Sequence, residues 1–225
     1  MSTALPARPS GLARWAALGG IAYVVLFILG VILTDSGAPD FDAPPQEVIR
    51  YWGDSGNRDQ AAFGWALILL GVFFFMWFLG ALRQFIRRID ADGLLTTMVT
   101  VGGAVYAALA LAATSLQAGI VTMSDDTYRD QVFPALIHAA RDASWVMHSA
   151  GGAGAAALII AASLGARRAR LVPGWAGAVG VVIGVLALAS ITFIPQILIA
   201  IWFVVASILL FRAASGPREA LPGPD

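Results

Sequence analysis

Forty consecutive residues, Val172 to Phe211, pass without one charged side chain. A helix crosses the hydrocarbon layer in about 20 apolar residues, so this run is too long for one crossing and just long enough for two. Within it the segment "TFIPQ" offers the division. Pro195 lacks a backbone donor and disfavours helical geometry at Ile194. The expected crossings are therefore 173–194 and 196–212, joined by almost no loop.

Four more apolar stretches lie upstream, at about 15–34, 61–82, 94–120 and 143–166. They explain why only 12% of the chain is charged, against roughly 25% in an average soluble domain. Arginine placement tests the count independently. With a cytoplasmic N-terminus and six crossings, ten arginines fall inside and four outside (Arg50, Arg58, Arg129 and Arg141), the bias that sets topology. An odd number of crossings destroys that sorting. The expected fold is all-α: a polytopic six-helix membrane bundle over 14–212, with both termini cytoplasmic and disordered tails at 1–13 and 213–225. The location it implies is the bacterial cytoplasmic membrane. The first stretch is long for a signal-peptide core, and Pro39 would follow a cut after Ala38, so it reads as a retained anchor.

Two outer loops are long enough for structure of their own. Pro44 and Pro45 suit a first helical turn, Glu47 favours its positive end, and Val48, Tyr51 and Trp52 then share one face. That pattern predicts a short helix along the membrane interface. The second loop is expected to restart as a helix at Pro134 and run into the fourth span. The inner ends "FLGALRQFIRR" and "SLGARRAR" share Leu-Gly-Ala before arginine, a weak sign that spans 1–2 and 3–4 repeat one hairpin.

Three clusters carry a resemblance. They are Tyr51, Trp52, Asp54, Asn57 and Arg58 before the second span; Arg83, Arg87 and Arg88 at its end; and Leu171, Pro173 and Trp175 before the fifth. In these the chain resembles a family of uncharacterised six-span bacterial membrane proteins, common in actinobacteria. The resemblance covers most of the chain, supports the topology and implies no activity.

Apart from Arg212 at the very end of the last, the predicted spans hold no Asp, Glu, Lys or Arg, whereas ion-coupled pumps and voltage sensors place ionisable groups deep within them. There is no cysteine, no His-Glu-x-x-His, no Gly-x-Ser-x-Gly and no phosphate loop. Of two histidines His138 lies outside, which leaves no axial pair for a haem. No enzyme activity, metal or cofactor is expected, and zero net charge gives no reason to expect nucleic acid. The acids of the outer loops invite a cation site, but their spacing matches no calcium loop.

His148 heads the glycine- and alanine-rich face of the fourth span, the face that lets a neighbouring helix approach. It is expected to hydrogen-bond across that contact to Gln117, Ser115 or Thr114, with Ser144 on the same face. Its alternative role is an outward-facing pH-responsive or ligand-binding group. Gly151 and Gly152, and the stripe Ala176, Gly180 and Gly184, are expected to pack helices. The stripe's expected partner is span six or span two. Two functions remain open. One is a non-catalytic scaffold or accessory subunit, meeting the bilayer and a protein partner or second copy through small-residue faces. The other is a transporter or binding protein for a lipophilic or neutral molecule, which requires a cavity lined by Tyr23, Tyr106, Thr114, Ser115, Gln117 and His148.

Overall fold

The computed structural model describes residues 11–125 and 132–215, all of them helix, turn or irregular chain. The order is α1 (Gly11–Ala17), α2 (Gly19–Asp35), α3 (Pro45–Gly53), α4 (Ser55–Arg87), α5 (Leu94–Ser124), α6 (Pro134–Arg168), α7 (Gly174–Leu186) and α8 (Phe193–Ser215). Leu18 between α1 and α2 stays in the right-handed helical region, so Gly11–Asp35 reads as one rod. Among the described residues five helices are long and apolar enough to cross a membrane: Gly11–Asp35, Ser55–Arg87, Leu94–Ser124, Pro134–Arg168 and Phe193–Ala214. The sixth apolar element, Gly174–Ala189, is shorter.

That shortness corrects the expected boundary between the fifth and sixth segments. Helix α7 passes into a 3-10 turn at Ala187–Ala189 and stops there, five residues before Pro195 would have stopped it. Side chains end it. The Ser190 hydroxyl donates to the Ala187 carbonyl, Thr192 to Ala189, and Gln196 Nε2 reaches back to the Ser190 carbonyl. Pro195 instead occupies the first turn of α8, where its missing N–H leaves no intrahelical bond unmade.

The helical ends also differ from the expected tails. Residues 11–13 and 213–215 are helical, and Arg14 and Trp15 of α1 pack on Phe211 of α8, with the Arg14 guanidinium 4.6 Å from the ring centroid. The rest of both expected tails, and 126–131 of the second outer loop, lie outside the described residues. The loop does restart at Pro134, as α6.

Helix α6 is the axis of the bundle, with 67% of its apolar window buried against 28–44% in the other long helices. Small residues make this possible. Gly102 of α5 and Gly154 of α6 meet backbone to backbone: a Cβ on either would lie 2.5 Å from the other's carbonyl oxygen. Gly30 and Gly64 make the same kind of contact between α2 and α4. Each hairpin thus crosses on a glycine pair. The pairs sit at different places along the two hairpins, so any repeat is loose.

Aromatic rings fill the middle. Tyr23, Phe75, Tyr106 and Phe203 lie with centroids 5.2–6.1 Å apart, and Phe78 packs beneath. The exterior carries exposed Leu, Ile, Val, Phe and Trp side chains along every long helix, a surface suited to hydrocarbon rather than water.

Candidate functional site

The end of the bundle that carries α3 is built from helix caps. Asp54 Oδ1 accepts from the Asn57 backbone N–H at the start of α4, while the Asn57 side chain donates to the Tyr51 carbonyl at the end of α3. Arg58, itself buried, donates through Nη1 to the carbonyls of Trp52 and Gly53, both at 2.9 Å. Cations favour helix C-termini, and this arginine closes α3. Gln60 Nε2 likewise donates to the Leu33 carbonyl near the end of α2.

Val48, Tyr51 and Trp52 share one face of α3, but they turn toward the protein. All three are buried against Ala61, Ile120 and Ile137, and the Tyr51 hydroxyl donates to the Ser36 carbonyl. The helix therefore lids the outer ends of α4, α5 and α6 instead of resting its apolar face on lipid. Burial, with the Asp35 carboxylate nearby, pushes the Tyr51 phenol above its ordinary pKa, while Arg141 acts the other way. It stays neutral at any physiological pH.

Beneath this lid lies a cleft of about 450 Å³ between α2, α5, α6 and the head of α8, within the size range of small-molecule sites. Its mouth carries Asp35, Arg141 and Asp142, and its wall Thr114, Gln117 and Ser144. Arg141 is held at the rim by a hydrogen bond to the Pro39 carbonyl and by the Phe41 ring, 4.4 Å from the guanidinium carbon. At the inner end His148, Phe27 and Gln196 are shared with a second recess of about 40 Å³, which also touches Tyr23, Tyr106 and Ser190. That recess has room for water beside several polar groups. Its floor is the Tyr23–Tyr106 hydroxyl pair, 2.7 Å apart and buried.

His148 departs from the expected link to α5. Its ring stacks on Phe27 of α2, centroids 5.1 Å apart and planes 18° from parallel, with Tyr106 at 6.3 Å. The hydroxyls once open to it are turned to their own helix: Thr114 donates to the Ala110 carbonyl and Ser115 to Leu111. Among the described residues no hydrogen bond reaches the imidazole. Of the predicted polar cluster, His148, Gln117, Thr114 and Ser144 come together around the cleft, while Ser115 is exposed elsewhere.

The remaining glycines divide by neighbour. Gly151 faces Tyr106 and Leu109 of α5, and Gly152 lies against Ala187 and Ser190 where α7 ends. In the α7 stripe Gly180 meets Ser163, Gly184 meets Ile160, and Ala176 is only half-buried, its place in the contact taken by Gly177 against Arg167. The stripe therefore packs chiefly on α6, with Trp202 of the sixth segment also reaching Gly180.

Sequence patterns missed two groups. Gln196 hides in an apolar run, Trp52 reads as part of an interfacial helix face, and Trp65 lies unmarked within the second apolar stretch. Both indole N–H groups lack a protein acceptor among the described residues, and both rings line a recess of about 20 Å³ bordered by Asp35, Gln117 and Arg141. Among the described residues no three His, Asp or Glu side chains gather as metal ligands. No protein-family model, curated protein or solved structure matches the chain.

Proposed function

We propose that the chain is a bacterial cytoplasmic-membrane protein with six spans and both termini inside, a member of the six-span family it resembles. Its role is to bind a lipophilic molecule with a neutral polar head, entering from the outer leaflet. The observation that carries this is His148: an imidazole with no hydrogen-bond partner among the described residues, in the wall of a 450 Å³ cleft. Buried polar groups are normally paired, so an open one marks a place for a partner from outside. The mouth mixes Asp35 and Asp142 with Arg141, which favours a neutral head over either ion. Apolar walls from Phe27, Val31, Ile68 and Phe193 suit the tail.

Binding is favoured over catalysis and over a pore. Among the described residues no hydroxyl of the cleft is hydrogen-bonded to His148 or to a carboxylate, and the aromatic layer of Tyr23, Phe75, Tyr106 and Phe203 packs across its inner end. A scaffold acting only through its surface has no use for such a cleft. The test is extraction in mild detergent followed by mass spectrometry of retained small molecules. A lipophile other than bulk phospholipid is expected near one per chain. His148→Phe, which keeps the stack and removes both nitrogens, lowers retention about tenfold, one hydrogen bond's worth. Failure of wild type to retain any such molecule, or retention by His148→Phe equal to that of wild type, refutes the proposal.

A further inference from the structure

A second cavity, of about 390 Å³, opens at the other end of the bundle between α7 and α8. Its walls are almost wholly apolar: Ala176, Val179 and Ile183 on α7, Ile201, Val205 and Leu209 on α8. The two helices join at 187–192 and α7 leans on α6 through its glycines, so α7 and α8 part toward the end where α7 begins. Arginines gather at that end. Arg167 lies against Gly177, a wall residue, and Arg212 sits between the wall residues Leu210 and Ala213. Arg170 precedes Leu171 and Val172, both in the wall.

Arg170 carries an independent sign. Its φ is +55°, the only positive value at a non-glycine among the described residues, and the Leu171 N–H closes back on the Ala166 carbonyl. This is the left-handed closure that glycine makes without cost. An arginine there holds the strained position with a positive charge beside the cavity's mouth.

We propose that this cavity is a binding site for an anionic phospholipid of the inner leaflet. One acyl chain lies between α7 and α8, and the phosphate meets Arg167, Arg170 and Arg212. Charge complementarity selects this occupant: the mouth is cationic, and the cytoplasmic leaflet supplies anionic headgroups at the same level. The shortness of Gly174–Ala189 fits as well, since a helix below full spanning length leaves a gap that a lipid tail fills. The inference rests on the membrane placement proposed above and is independent of the outer cleft.

The test reconstitutes the full chain in vesicles of equal phosphatidylglycerol and phosphatidylcholine, extracts it in mild detergent and quantifies the retained lipid. Wild type is expected to hold about one phosphatidylglycerol per chain, enriched about tenfold over phosphatidylcholine, as one to two arginine contacts provide. The exposed double variant Arg167→Gln/Arg212→Gln keeps its fold and loses that preference. Ala176→Trp, filling the groove, loses the retained lipid altogether, and Val179→Phe repeats the test if the tryptophan prevents folding. Equal retention of the two lipids, or a preference unchanged in the arginine variant, overturns the proposal. So does a dimer that Ala176→Trp dissociates with no lipid retained, because the groove then holds a second copy. The neutral lipophile of the outer cleft is read in the same spectra and is unaffected by these variants, which separates the two results.

Discussion

The imidazole of His148 lies flat on the ring of Phe27, 5.1 Å between centroids, although the two residues belong to α6 and α2 and are 121 positions apart in sequence. The contact joins the two hairpins, and it does so through the face of a ring that also lines the cleft. Packing and hydrogen bonding are therefore separable at this residue. His148→Ala removes the stack and is expected to cost about 1–2 kcal/mol of stability, a large-to-small change at a site that is partly open. His148→Phe retains the stack and is expected to lie within about 0.5 kcal/mol of wild type. Thermal midpoints in one detergent measure both. Equal losses for the two variants would mean that the nitrogens carry the stability after all.

A sharper packing prediction concerns Gly102. A methyl group there would stand 2.5 Å from the Gly154 carbonyl oxygen and 2.8 Å from the Leu158 nitrogen, both backbone atoms that cannot turn aside. Gly102→Ala must push α5 and α6 apart, costing about 2–3 kcal/mol. Gly80, also within a long helix, has nothing within 4 Å of the same added carbon. Gly80→Ala is expected to gain about 0.5 kcal/mol from helix propensity alone. Opposite signs in one thermal assay test the claim, and a shared sign defeats it.

These glycines show where sequence is informative and where it stops. Hydrophobic length fixes which segments are helices, because each must be covered over its whole span. Helical period assigns the small face of α6. Neither names the neighbour: Gly180 and Gly184 met α6, and His148 met α2, because partner choice follows from how all the helices pack together. The break between α7 and α8 was misplaced for a local reason. Proline looks like a terminator in any apolar run, whereas Ser190, Thr192 and Gln196 end the helix by offering its carbonyls new donors. The outer cleft was legible only as a set of polar residues. Its walls come from α2, α4, α5, α6 and α8 together, a meeting that no single helical pattern announces.

The inner loop before α5 makes a pH-dependent contribution. Asp90 Oδ2 accepts from the backbone N–H of Thr96 at 2.7 Å and from its hydroxyl at 2.8 Å, capping the helix six residues on. Those bonds, the backbone one foremost, hold the carboxyl below its ordinary pKa, with Arg168 assisting. A lowered carboxylate pKa contributes stability that is complete above the unfolded value and lost as pH falls through the folded one. Asp90→Asn is therefore expected to lower the thermal midpoint at pH 7 and to narrow the gap to wild type on acidification through the carboxylate range. Gly93, at φ +75°, sets the turn that lets this carboxylate reach back. A gap independent of pH would show that the cap acts without its charge.

The joint between α3 and α4 holds the lid in place through one residue more than any other. Arg58 satisfies two carbonyls at the end of α3 with a single nitrogen, and it is buried while doing so. Arg58→Met keeps much of the volume but strands both acceptors, a loss of about 2–3 kcal/mol. Asp54→Ala removes only the cap of α4 and is expected to cost about 1 kcal/mol. Because the two side chains hold opposite sides of one joint, the double variant should fall short of the sum, as coupled neighbours do. The functional consequence is separate from the energetic one. With α3 loosened, Trp52 leaves its contact with Ala61 and Ile120, so its fluorescence shifts toward that of solvent-exposed indole while the bundle beneath remains folded. Unfolding of the whole chain in one step, with no earlier change at Trp52, would place α3 inside the cooperative core and remove its role as a separable lid.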